Sequence, residues 1–139
     1  MSLQALNLPP FPFQIKKKES GLYLFDALRK KDILITPEEW VRQHVVQFLM
    51  IEKNYPKSLL NVEKVLQVNG LRKRYDIVVY NSDGTIHILI ECKAPEVPIS
   101  QSTFDQIAQY NMTLQSNYLM VTNGLNHYFC QMDNENEKY

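Results

Sequence analysis

The 139-residue sequence has two cysteines, four glycines and one tryptophan. It has no apolar run near the roughly 20 residues that cross a bilayer. Cys92 and Cys130 form neither a metal-type spacing nor a disulfide framework, which predicts two free thiols in a reducing, cytoplasmic setting. Pro9, Pro10 and Pro12 stand where a signal peptide needs its apolar stretch, so neither secretion nor membrane insertion is expected. No G-x-x-x-x-G-K-[ST] loop is present, which excludes a P-loop motor within these residues. Net charge is also missing: fifteen Lys and Arg cancel fifteen Asp and Glu. A nucleic-acid partner would therefore have to be held by a local patch. What remains is ordinary, at 45% hydrophobic, 11% aromatic and 22% charged residues, as expected for one folded domain.

Three regions are expected along the chain. Residues 1–36 form a lead-in with a short hairpin made from Phe13 to Lys18 and Leu22 to Phe25, after which Asp26 caps a turn through Arg29. Lys16-Lys17-Lys18 reads as a solvated strand edge. The core spans residues 37–132, and residues 133–139 are a polar tail. Thr36-Pro37-Glu38-Glu39 starts a helix, with a capping Thr, proline at the first helical position and Glu39 completing a capping box. This helix should run to about Lys53, with Val41, Val45, Phe48 and Leu49 on one stripe. Glu38 falls inside that stripe, and Arg42, four residues on, is its ordinary partner.

Asn61 to Val68, Arg74 to Tyr80 and Ile86 to Lys93 read as an antiparallel meander. A helix from Ser100 or Ser102 to about Gln115 follows, with Phe104, Ile107, Ala108, Asn111 and Leu114 on one face. Tyr118 to Thr122 and His127 to Met132 form a final strand pair around Asn123-Gly124. The order is α-β-β-β-α-β-β, an α/β arrangement of the α+β type with a mixed central sheet flanked by helices.

The second and third strands carry the chemistry. If Asp83-Gly84 is a two-residue type I′ turn, Tyr80 faces His87, Val78 faces Leu89, and Asp76 faces Glu91. Two carboxylates opposite one another destabilise a hairpin unless a cation lies between them. Lys93 shares the face of Glu91, whereas Ile88, Ile90 and Cys92 point into the core. Magnesium suits such a set, since it takes one or two carboxylates, here with the Cys92 backbone carbonyl, and keeps several waters. One of those waters would be the nucleophile, and Lys93 would orient it or stabilise charge on a phosphate. The competing account is a surface cluster in which Glu91 pairs with Lys93 or Arg74.

These residues resemble the PD-(D/E)XK nuclease superfamily, through Asp76 and Glu91-Cys92-Lys93. The wider string resembles the N-terminal nuclease domain of type I restriction subunits over roughly residues 10–132. It comprises Pro37-Glu38-Glu39 with Val41-Arg42-Gln43, Arg74-Tyr75-Asp76, Ile90-Glu91-Cys92-Lys93-Ala94-Pro95, Gln106 with Tyr110, and Thr122-Asn123-Gly124.

The resemblance implies a PD-(D/E)XK restriction-endonuclease-like core that hydrolyses DNA with Mg2+, or Mn2+ in its place. Asp76 and Glu91 would bind metal and Lys93 would assist. Glu38 would complete the site, with Glu39 the alternative, and Gln106 and Tyr110 would lie beside the centre. Arg72-Lys73-Arg74 would grip phosphates, or else neutralise the acids internally.

Such subunits also carry a translocase, which does not fit in 139 residues. The resemblance then implies either an excised or free-standing nuclease module or one that works with a partner chain; the expected partners are DNA and, in the second case, a separate translocase, specificity or methyltransferase subunit. The alternative function is a non-catalytic nucleic-acid or protein-binding module that keeps the fold. A third reading is a structural domain with surface ion pairs. His44, His87 and His127 are scattered and imply neither catalysis nor zinc.

Overall fold

The computed structural model describes residues 3–139. Two sheets are present among them, one of three strands and one of five. The small sheet comprises β1 (Ile15–Lys18), β2 (Gly21–Asp26) and β3 (Lys31–Leu34), antiparallel in that order. The expected hairpin is therefore present and gains a third strand. Asp26 terminates β2 by accepting the N–H groups of Leu28 at 2.7 Å and Arg29 at 2.8 Å. That turn, with Lys30 at positive φ, reverses the chain into β3.

Helix α1 (Pro37–Gln47) begins as its sequence requires, with the Thr36 hydroxyl accepting the Glu39 N–H at 3.0 Å. It passes into a π-helical turn at Phe48–Glu52. The large sheet follows in the order β4 (Leu60–Val68), β5 (Leu71–Tyr80), β6 (Ile86–Cys92), β7 (Tyr118–Thr122) and β8 (His127–Gln131). All pairs are antiparallel except β6–β7, which is parallel and requires a crossover. Helix α2 (Gln101–Asn111) supplies it, starting at Ser100, whose hydroxyl accepts the Thr103 N–H. The result is a mixed sheet with two helices in the expected order.

Both faces of this sheet are covered, so β5 and β6 are largely apolar instead of alternating. On one side Val41 and Val45 of α1 and Leu49 of the π-helical turn pack with Ile77, Val79, Ile88, Ile90 and Cys92. On the other, Phe104 and Ala108 of α2 pack with Val78, Leu89, Leu119 and Val121. Cys92 lies in the α1-side core with its thiol pKa raised well above the ordinary value by burial.

The β5–β6 register pairs Ile77 with Ile90, Val78 with Leu89 and Val79 with Ile88, as the hairpin reading expects. The turn differs. Gly84 donates its N–H to the Asn81 carbonyl at 3.0 Å, and Asn81 donates to Thr85 at 2.8 Å. The loop is thus three residues, Ser82 to Gly84, with Gly84 at φ +90°. Such a loop shifts the register by one, and Tyr80 pairs with Ile86, not His87. A bulge restores the register at Val79, leaving His87 as the extra residue.

Gly124 closes the β7–β8 hairpin at φ +84°, and a Cβ there would come within 2.9 Å of Leu6 and 3.1 Å of Val41. Gly124→Ala should lower the unfolding free energy by about 1–3 kcal/mol through strain and overpacking. Urea unfolding reads this directly; an unchanged midpoint would mean that the Leu6 segment yields at no cost.

Candidate metal and phosphate pocket

A pocket of about 340 Å³ opens where α1, β4, β5 and the end of β6 meet. It is lined by Glu38, Arg42, Glu63, Lys73, Arg74, Asp76, Glu91, Cys92 and Lys93. Four carboxylates thus face four cationic side chains in one cleft of a chain with no net charge.

Asp76 arrives there through a break in β5. Strand alternation would put Tyr75 and Ile77 on one face, yet Tyr75 packs in the α2-side core and Ile77 in the α1-side core. Opposite Asp76 in the β4–β5 register stands Glu63, held at φ +54°. A non-glycine residue in that region costs about 1–3 kcal/mol and persists only where its surroundings hold it. The β5–β6 ladder ends at Ile77 and Ile90. One step on, the Asp76 carboxylate accepts the Cys92 N–H at 2.8 Å, taking the place of a backbone partner.

Burial pushes the Asp76 pKa up to about 6; the Cys92 N–H and Arg42 oppose that rise, while Glu38 and Glu91 add to it. Glu91 is itself buried and is paired with Lys73. The Lys73 ammonium also lies over two rings, 4.9 Å from the centroid of Tyr75 and 5.0 Å from that of Tyr110. Tyr110 therefore approaches the acids through Lys73. Gln106, one turn earlier, is exposed and lines no part of the pocket. Lys93 follows β6, and its N–H bonds the Thr122 carbonyl at 2.8 Å, fixing its backbone beside β7. Arg72 and Arg74 are exposed, and Arg74 lines the pocket.

Glu38, which the helical wheel puts inside the apolar stripe, is not buried there. Glu38 is the exposed one, with 48% of its side chain accessible, and reaches Arg42 only at 4.0 Å. Glu39 is buried, because the small sheet closes over its side of α1. Arg29 of the β2–β3 turn donates to both Glu39 oxygens at 3.0 Å, and Gln43 donates at 3.1 Å. Glu39 thus fastens the two sheets together, whereas Glu38 stands at the pocket.

The residue that sequence reasoning underrated is Arg42. Its guanidinium lies 3.1 Å from Glu63, 3.5 Å from Glu39 and 3.6 Å from Asp76. Burial disfavours its charge, but Glu39, Asp76 and Glu63 outweigh that and push its pKa up. Its Nε and Nη1 have contacts to carboxylates but no well-aligned acceptor. Glu63 was missed altogether. Its one sequence signal is an acid in a strand, placed opposite Asp76.

The donor chemistry fits a hard divalent cation that takes one or two carboxylates and keeps its waters. Asp76, Glu91 and Glu38 offer only oxygen, and the volume admits several waters. Among the described residues no three His, Cys, Asp or Glu side chains are grouped tightly enough to cage an ion alone. Lys73 pairs with Glu91, and Arg42 lies 3.6 Å from Asp76.

The three histidines lie elsewhere. His44 packs among Phe11, Phe13 and Trp40, His87 meets Tyr55 and Asn117, and His127 joins Thr122 to the Asn7 carbonyl.

A rise in the Asp76 pKa from 3.8 to about 6 corresponds to about 3 kcal/mol. The folded pKa is the higher one, so this stability is present below pH 3.8 and is lost as pH rises through 6. Asp76→Asn should therefore melt at a higher temperature than wild type at pH 8, with the gain gone near pH 4. Paired thermal melts measure it; a gain that persists at pH 4 would place its origin outside Asp76 ionisation.

Comparison with known proteins bears on this arrangement. Among curated proteins no match was found. No helix among the described residues is long and apolar enough to cross a membrane. The sequence model of one family, described as "Type I restriction enzyme R protein N terminus (HSDR_N)", matches residues 37–139. That span runs from the first residue of α1 to the last residue, and it contains all the pocket residues named above. The chain therefore belongs to the type I restriction enzyme R protein N-terminus family.

Proposed function

We propose that the pocket is the metal site of a DNA phosphodiester hydrolase, with Mg2+ as its ion and Mn2+ as a substitute. The observation that carries this reading is the convergence of Asp76, Glu91 and Lys93 in one cleft, with Asp76 buried at a cost to the fold. Perturbed acids in clefts mark functional sites more often than structural ones. Family membership supports the same reading and adds a setting, a restriction enzyme with further subunits acting on DNA.

Asp76 and Glu91 would hold the ion, joined by the Cys92 carbonyl and Glu38. The ion would supply Lewis acidity toward the phosphate and an acidified water. Lys93 stabilises charge on the scissile phosphate. Arg72 and Arg74 bind phosphates on either side of the cut, and Lys73 joins them once Glu91 is engaged elsewhere. Tyr110 positions Lys73 through its ring face, and Gln106 extends that helix face toward DNA.

One specific observation favours the non-catalytic alternative. Both acids already have internal cations, Lys73 on Glu91 and Arg42 near Asp76. A fold used only for binding would need no metal to balance them.

Calorimetry with Mn2+ and Mg2+ on wild type and Asp76→Ala, beside a plasmid-nicking assay, separates the two readings. The nuclease reading expects binding that is lost in Asp76→Ala and that weakens as pH falls below about 6, since protonated Asp76 cannot ligate. It expects metal-dependent nicking that Lys93→Ala lowers at least about 100-fold, the scale of losing a stabilising charge in the transition state. Binding without nicking would mark a nuclease module that needs its partner subunits. Absence of metal binding would overturn the catalytic reading in favour of the binding module.

A further inference from the structure

The small sheet is more than a cover for α1. Residues 15–34 carry six Lys or Arg against three Asp or Glu, a net charge of +3, in a chain whose total is zero. The remaining residues therefore carry −3, and the positive charge is concentrated in a segment that precedes the family match.

The register decides which face these charges share. Leu24 and Asp26 of the central strand β2 are fully buried, so their alternates, Tyr23 and Phe25, point outward. Lys16 and Leu34 flank Tyr23 directly, and Asp32 stands beside Phe25. The outer face thus presents Phe25 at 46% exposure, Leu34 at 41%, and the Tyr23 ring with the Lys18 ammonium 4.6 Å from its centroid. Lys16 and Lys18 share one anion, Asp32, at 3.1 and 3.6 Å. Two exposed cations on a single carboxylate leave a positive surplus beside two aromatic rings.

We propose that this outer face is a docking platform for single-stranded DNA. An exposed ring on the central strand of an open sheet can stack on an unpaired base, and flanking lysines can neutralise the phosphates on either side. Duplex DNA hides its base faces, so it could use the lysines but not Phe25. A protein partner matched to the apolar residues alone would not draw on the charge excess. The choice of DNA over RNA rests on the nuclease reading. The sheet is fastened to that pocket by Arg29, which contacts Glu39 at 3.0 Å and Glu63 at 3.3 Å.

The test is fluorescence anisotropy of labelled oligothymidylate with the full chain in EDTA, which removes the metal site from the measurement. Phe25→Ala should weaken binding by about tenfold, the scale of one base–aromatic stack. Lys16→Glu with Lys18→Glu should weaken it further and flatten the salt dependence by about one to two phosphate contacts. Lys53→Glu, a cation outside the sheet, should change little. Manganese binding should be unaffected by Phe25→Ala, so failure of the platform and failure of the metal site are read separately. Unchanged affinity in both sheet variants would overturn the proposal. So would tighter binding to duplex, or equal binding to oligouridylate. Loss of a dimer in Lys16→Glu with Lys18→Glu, by sedimentation, would assign the face to self-association instead.

Discussion

A single buried guanidinium holds the two halves of this molecule in register. Arg42 projects from α1 into a space bounded by Glu39 on its own helix, Glu63 on β4 and Asp76 on β5. Arg29 continues the network from the other sheet, bonding Asp26, Glu39 and Glu63. Each carboxylate would be costly to bury alone, and so would each arginine. Together they are tolerable, and only in one geometry, because removing either arginine leaves uncompensated buried carboxylates at a cost of about 3–5 kcal/mol. The strained backbone at Glu63 belongs to the same constraint, since it delivers a carboxylate to both arginines.

The pocket follows from where that network stops. Glu39 and Glu63 engage both arginines, while Asp76 has one arginine contact at 3.6 Å and one backbone N–H. It is the acid that burial leaves least compensated, hence its raised pKa. Glu91 draws its partner from β5 instead, and Lys73 is steadied there by two tyrosine rings. Lys73 and Arg42 thereby balance the pocket acids, while Glu39 is anchored separately by Arg29. The pocket carboxylate Glu38 and the anchoring carboxylate Glu39 are neighbours in sequence but belong to different environments.

Much of this was legible in advance. Thr36-Pro37-x-Glu39 marks a helix start because capping is local chemistry, and the Thr36 hydroxyl does accept the Glu39 N–H. The β5–β6 register was read from the Asp83-Gly84 turn, and it holds from Val79 onward only because the His87 bulge cancels the one-residue shift of the actual loop. The turn itself was misread because Asp83-Gly84 suits both a two-residue loop and the end of a three-residue one. The Asn81 hydrogen bonds that choose between them depend on the rest of the hairpin.

The sequence by itself determined the order of elements and the apolar faces of both helices, and it named Asp76, Glu91 and Lys93 as candidates, which folding brings to one pocket. These rest on periodicity, capping and residue type, which act within a few residues. Tertiary structure alone decided that Glu39 is buried and Glu38 exposed. A helical wheel gives direction but cannot know that a second sheet covers one side. It also brought Arg42 and Glu63 to the pocket and made Lys73, where the sequence reading offered Lys93 or Arg74, the partner of Glu91, since the charges that set each acid's environment come from four separate elements brought together only by folding.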